Sequence, residues 1–213
     1  MRCMHSTGRK NTTGPKTRIN AIHNDWTNIK NKCRTTVGKD YTNNEPNSSF
    51  KRKLLKSEHS PIRLLEVDWS WLNIPSWVAT HWSRHKFEKF ITTSRTDRTG
   101  INRDELPQNE PVNFDGFANA QHLIDAMRKR LCRQASTETR ELAESLKAEL
   151  ISEEPDLSNV LVPNCVYRCG CPEFKQCGFW AKFLASASTV DMTDIDARYD
   201  EYNRQFREKR CEK

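Results

Sequence analysis

Leu65, Val67, Trp69 and Trp71 alternate with Glu66, Asp68 and Ser70, the period of two that marks a half-buried strand. Around that strand the apolar positions open to a helical spacing. Trp26, Ile29 and Cys33 predict a helix over residues 24–34, and Phe50 with Leu54 a short basic helix over 49–56. Residues 18–22 read as a first strand. His59-Ser60-Pro61 stops the second helix, because the residue before a proline avoids the α region. Pro75 suits the first turn of the next helix, where its missing N–H costs little. That helix is expected to run to about Lys86, burying Trp77, Val78 and Trp82 and setting His81 and His85 one turn apart on a shared face.

Residues 90–94 predict a strand, and residues 96–116 a long polar loop of the kind that usually carries function. Helices follow over 117–131 and 137–152, the latter capped by Ser136 or Thr137. Residues 155–167 read as loop around the apolar run Val160-Leu161-Val162. Residues 179–184 are apolar, and Thr193 is expected to cap a charged terminal helix reaching about Lys209. No internal repeat is present.

Composition changes this picture in two ways. A chain of 213 residues fits one domain with extensions, yet hydrophobic residues make up only 35% of it and the mean hydropathy is −0.86. Either part of the chain is disordered or partner subunits complete the core. Residues 1–16 read as a disordered basic leader, 17–178 as the folded domain and 179–213 as a helical extension. The balance of 35 Lys+Arg against 28 Asp+Glu gives +7, which suits an anionic partner or describes a solvated basic surface. No apolar run approaches the roughly 18 residues that span a bilayer, and no apolar signal core opens the chain. The eight cysteines do not resemble a small secreted disulfide scaffold, so a reducing cytoplasm is the expected setting.

The candidate chemistry is cationic. His81, Arg84, His85 and Lys86 close the tryptophan-rich helix, where the macrodipole alone favours positive charge. Arg95, Arg98 and Arg103 follow within about twenty residues. So many guanidiniums are hard to pair internally, and anionic ligands would satisfy their forked donors. Cys165, Cys169, Cys171 and Cys177 are spaced C-x3-C-x-C-x5-C; the first pair suits zinc and the second does not. No metal ligands are assigned, and structural metal, buried free thiols and redox chemistry all stay open. His59 is either a loop histidine or a site residue. Glu138 and Arg140 either pair internally or reach a ligand. The chain lacks G-x-G-x-x-G, Walker A and G-x-S-x-G motifs, so side chains rather than a glycine-rich loop must hold any nucleotide.

These residues together resemble the flavin-dependent thymidylate synthases. The family's Gln-Trp-x-Arg-His-Arg is similar to His81-Trp82-Ser83-Arg84-His85-Lys86, and its His-x-[Ser/Thr]-Pro segment before a strand resembles Glu58-His59-Ser60-Pro61. Its Arg-x-x-Leu-Pro resembles Arg103-Asp104-Glu105-Leu106-Pro107, its flavin-contacting Asn falls on Asn119, and its substrate-orienting Arg on Arg130. The segment from Ala135 to Ala143 and the Cys171-Pro172-Glu173 tail extend the likeness over about residues 17–178. The chain departs from the family after Lys86. The Asn-Glu pair and the Tyr of the family signature are absent, and Thr93-Ser94-Arg95 matches Ser-x-Arg only with one deletion, with Thr96-Asp97-Arg98 as a second candidate. Gln121 stands where the family has a flavin-site Arg. The pattern suggests a divergent, phage-like branch.

The resemblance implies an α/β (α+β) fold with a central, mostly antiparallel sheet flanked by helices, assembled as a homotetramer with shared sites. It implies reductive methylation of dUMP to dTMP with methylenetetrahydrofolate, with NADPH reducing a bound FAD. Under it, Arg130 orients the pyrimidine, and His81, Arg84, Thr93, Ser94, Arg95 and Arg103 complete the substrate site. Ser60, Arg84, His85, Lys86 and Asn119 contact FAD, with Gln121 and Asp125 at weaker family positions. Two other readings remain: a non-catalytic or altered-specificity nucleotide-binding relative, and a basic nucleic-acid-binding protein using residues 1–56. The second lacks aromatic platforms beyond Trp26.

Overall fold

The computed structural model describes residues 14–211. Most of the expected leader therefore lies outside the described residues. In chain order the elements are β1 (Lys16–His23), α1 (Trp26–Thr35), α2 (Ser48–Lys56), β2 (Glu66–Pro75), α3 (Ser76–Ser83), β3 (Glu88–Ile91), α4 (Thr96–Thr99), β4 (Pro111–Asn119), α5 (Ala120–Arg130), α6 (Thr137–Glu153), α7 (Pro155–Val160), α8 (Asn164–Tyr167), α9 (Phe179–Ser186) and α10 (Ile195–Cys211). Short 3-10 turns cover Ser60–Leu64 and Arg103–Glu105. The strands form one sheet in the order β1-β2-β4-β3, with every pairing antiparallel. The fold is thus mixed α/β with helices around an antiparallel sheet.

The alternation in β2 builds the core. Val67, Trp69 and Trp71 face inward and lie opposite Ala118, Gly116 and Phe114 of β4. Val67 and Trp69 meet the small Ala118 and Gly116, while Trp71 packs on the Phe114 ring. A Cβ on Gly116 would stand 2.3 Å from the Trp69 ring, so only glycine lets that indole lie across the strand. Trp71 stacks obliquely on Trp82 of α3 with centroids 4.6 Å apart, and Phe87 and Phe114 close the cluster. Each such aromatic contributes about 1.5–3 kcal/mol by leaving water. Helix α3 is held against β2, β4 and α6, and α6 also covers β1. The C-terminal stretch reaches the same core through Phe183, Tyr199 and Tyr202.

Several sequence expectations are corrected. Residues 111–116, expected as the end of a loop, and 117–119, expected as the start of a helix, form the second central strand, and that helix starts at Ala120. The β4 signal is real but weak. Its inward positions are Val112, Phe114, Gly116 and Ala118, and the last two add almost no hydrophobicity. The strand expected at 90–94 is shifted to Glu88–Ile91. Helix α3 ends at Ser83 rather than near Lys86, and Pro75 precedes it as the cap residue. Residues 155–167 hold α7 and α8 instead of loop. The terminal helix is capped by Asp194, whose carboxylate accepts from the Asp196 and Ala197 N–H groups, rather than by Thr193.

Candidate functional site

Because α3 stops at Ser83, the chain turns sharply through Arg84-His85-Lys86. The turn puts the His85 ring against Trp82 (5.7 Å) and parallel to Phe87 (6.2 Å). Arg130, at the last turn of α5, reaches across to it. Its Nε donates to His85 Nε2 at 2.7 Å and its Nη2 to the His81 carbonyl at 2.5 Å. Two of its donors are thus fixed by a neutral imidazole and a backbone oxygen, and its guanidinium carbon lies 5.8 Å from the Trp82 ring centre. His81 and His85 do not share a helix face, because the helix ends at Ser83; Arg130 links the His85 ring to the His81 backbone carbonyl.

The electrostatics of this junction are uncompensated. Burial and the nearby Arg84 charge both push the Arg130 pKa down. Neither Arg84 nor Arg130 makes an ion pair among the described residues. Burial, then the charges of Arg130 and Lys89, lower the His85 pKa to about 4. His85 is therefore neutral near pH 7, with Nε2 free to accept from Arg130 and the ring proton on Nδ1. The charges of Arg84 and Arg130 act on each other and neither is paired with a carboxylate, a setting that favours an anion or carbonyl oxygens. His81 Nδ1 lies 3.1 Å from Thr139 Oγ1, which Ser136 also engages, so α6 fixes the far side.

Asn119 ends β4 and caps α5, accepting from the His122 N–H at 2.9 Å. Its amide nitrogen remains available beside an open cleft of about 470 Å³ lined by Glu66, Lys86, Phe87, Lys89, Phe117 and His122, among others. The structure so brings Lys86 and Asn119 to one cleft. Its lysines and aromatic rings suit a large, flat, anionic group such as a flavin dinucleotide, although Glu66 and Glu88 bring negative charge to the same rim. Phe87, Lys89, Phe117 and His122 were not singled out in the sequence. Knowing that β4 exists would have found the last two.

Gln121 and Asp125 turn toward a different cluster. Gln121 donates to Glu58 at 2.5 Å, Arg128 pairs with Glu58 and lies 3.5 Å over the Tyr167 ring, and Asp125 meets Arg128 at 3.3 Å. Burial opposes ionisation of Glu58, yet the Arg128 and Gln121 hydrogen bonds hold its carboxyl below the ordinary value. Ser60 is exposed one turn away, at the start of the 3-10 segment. Thr93, Ser94, Arg95 and Arg103 are exposed. Arg95 pairs with Asp97 at 2.6 Å and Arg103 with Asp104 at 3.7 Å, and no contact among the described residues joins them to Arg130. Arg140 pairs with Glu144 rather than Glu138.

No protein-family model matches the chain, and no curated protein does. Solved structures do match. The flavin dependent thymidylate synthase ThyX from Helicobacter pylori, complexed with FAD and dUMP, aligns with TM-score 0.58 at 13% identity over 69% of this chain and 99% of that one. The fold is that of the flavin-dependent thymidylate synthases. A UMP/dUMP methylase, PolB from Streptomyces cacaoi bound with 5-Br dUMP, aligns with TM-score 0.56 at 15% identity over 70% of this chain and 94% of that one. At such identity the thymidylate synthase fold is shared, and the chemistry has to be argued from side chains.

Proposed function

We propose that the protein methylates dUMP reductively to dTMP, using methylenetetrahydrofolate and NADPH through FAD, in a homotetramer with shared sites. The observation that carries this reading is Arg130, without a carboxylate partner, pinned by neutral His85 within reach of the Arg84 charge and next to a residue of the Lys86–Asn119 cleft. An anionic pyrimidine nucleotide relieves that repulsion. Arg130, already oriented, donates to the pyrimidine carbonyl oxygens where negative charge develops, and no reorganisation is needed at that moment. Arg84 with His81 meets the nucleotide from the α3 side. Arg95, Arg103, Thr93 and Ser94 hold the phosphate from a neighbouring subunit, which explains why they lie exposed and away from Arg130 in one chain.

FAD, once reduced, supplies the reducing equivalents. Lys86, His85, Arg84 and Asn119 would hold it in the cleft, whereas Gln121 and Asp125 belong to the separate Glu58–Arg128 cluster. The buried ring wall of Trp82 and Phe87 keeps water from the junction. The fold it shares with the UMP/dUMP methylase supports the alternative of another pyrimidine one-carbon modification at the same site.

Arg130→Ala separates positioning from cofactor binding. It is expected to lower turnover by about 10² or more while the flavin spectrum of the purified protein is kept. Loss of flavin with unchanged turnover per bound flavin would mean that Arg130 holds the cofactor instead.

A further inference from the structure

The sheet has two edges, and only the β3 edge borders the cleft beside Lys86 and Asn119. β1 forms the opposite edge. It pairs with β2 alone, so its outer side meets no strand among the described residues. No backbone–backbone hydrogen bond leaves Lys16–His23 except within the β1–β2 ladder there. Over its eight residues, about 25 Å, β1 therefore offers N–H and carbonyl groups to a further strand.

A groove of about 500 Å³ accompanies this edge, lined by the consecutive residues 17–22, by Asn24, and by Glu149 and Glu153 of α6. Residues from both faces of the strand line it, exposed Arg18 and Asn20 with half-buried Thr17 and Ile19, which places the groove on the edge itself. Its walls are held. Thr17 Oγ1 lies 2.5 Å from Ser145 Oγ of α6, and Asn24 donates to Glu154 at 2.6 Å. Asn20 donates to Asp68 at 2.8 Å and to Ser70 at 2.9 Å. Glu149 and Glu153 stand one turn apart and exposed, and neither carboxylate has a cationic partner among the described residues.

We propose that this edge docks an extended, basic segment of a partner protein, which adds a strand beside β1 and sets its positive side chains against Glu149 and Glu153. Main-chain hydrogen bonds to β1 supply the attachment, and the carboxylates select the charge. Arg18 carries the positive charge of the lining, with its Nε held by Asn20 at 2.9 Å, and directs the basic residues toward the Asn24 end. A second copy is the poorer occupant. Twofold pairing of β1 with itself presents the same patch from both sides and sets these carboxylates against their own counterparts. Protection of the edge accounts for the bulge at Asn20 and for the charges, but not for a groove along six consecutive residues. The groove shares no residue with the Lys86–Asn119 cleft, so the proposal stands apart from methylation.

The probe is a labelled, end-blocked octapeptide alternating lysine with valine, titrated into the full-length protein at physiological ionic strength. Saturable one-to-one binding is expected, together with slowed amide hydrogen exchange in residues 16–23. Replacing both carboxylates, Glu149→Lys with Glu153→Lys, is expected to weaken binding at least about tenfold. A peptide with glutamate for lysine is expected not to bind. Nor is one alternating lysine with proline, which keeps the charge and loses alternate N–H donors. No saturation up to about 1 mM would overturn the proposal. So would equal binding of the proline peptide, binding unchanged by the double charge reversal, or protection outside β1. Protection of residues 16–23 that grows with protein concentration and needs no peptide would overturn it in favour of a second copy.

Discussion

Single residues set the two tightest constraints in the molecule. Gly116 admits the Trp69 indole across β4, and Gly116→Ala is expected to destabilise the fold by about 1–3 kcal/mol through overpacking, measured by denaturant unfolding. His85 sets the other constraint, because it can accept from Arg130 only while neutral. Its folded pKa of about 4 lies below the ordinary 6.5, so the unfolded chain binds the extra proton first. The contribution is therefore intact above pH 6.5 and is lost as the pH falls from there toward about 4. His85→Phe keeps a ring but removes the acceptor and the titration. Acidification over that window is expected to destabilise the wild type more than the variant; parallel pH–stability curves would show that His85 does not bear this load.

At the scale of elements, α10 is joined to α6 and α7 through an unusual lysine. Lys147 of α6 is fully buried, donates to the Ser158 carbonyl and to Asn203 Oδ1 at 2.7 Å, and lies near the rings of Tyr202 and Phe206. Burial and then the Arg207 charge lower its pKa to about 7. A lysine that titrates low when folded destabilises the fold at neutral pH, and that penalty fades between about pH 7 and 10.5. Stability of the wild type relative to Lys147→Met is expected to rise over that range, and a flat difference would contradict the assignment. Legibility also varied by element. β2, α1, α2, α5 and α6 were readable because one face of each is strongly apolar or a cap residue such as Ser136 marks the start. β4 was not, because the residues that make room for tryptophans carry little hydrophobic signal of their own. α7 and α8 were missed because their helices are a few residues long and buried almost all round.

For the whole molecule, one chain leaves several large apolar side chains uncovered. Phe90 is 69% exposed, with Ile91 and Ile101 also exposed on the same β3–α4 stretch that carries Arg95. In the proposed tetramer a neighbouring subunit covers them. Phe90→Asp is expected to lower the solution mass from four chains toward one and to abolish turnover while the circular dichroism spectrum is kept. The structure brings together some of the residues that the sequence motifs picked out and separates others. Arg84, His85 and Arg130 meet within the chain, Lys86 and Asn119 share a cleft, and Arg95 and Arg103 face away. Spacing along a chain carries no information about which copy completes a pocket.

Methylation itself is the most direct test. Purified protein supplied with FAD, dUMP, methylenetetrahydrofolate and NADPH is expected to form dTMP, at a rate that Arg130→Ala lowers by about 10². Protein that binds dUMP and FAD yet leaves the nucleotide unchanged would contradict the central claim.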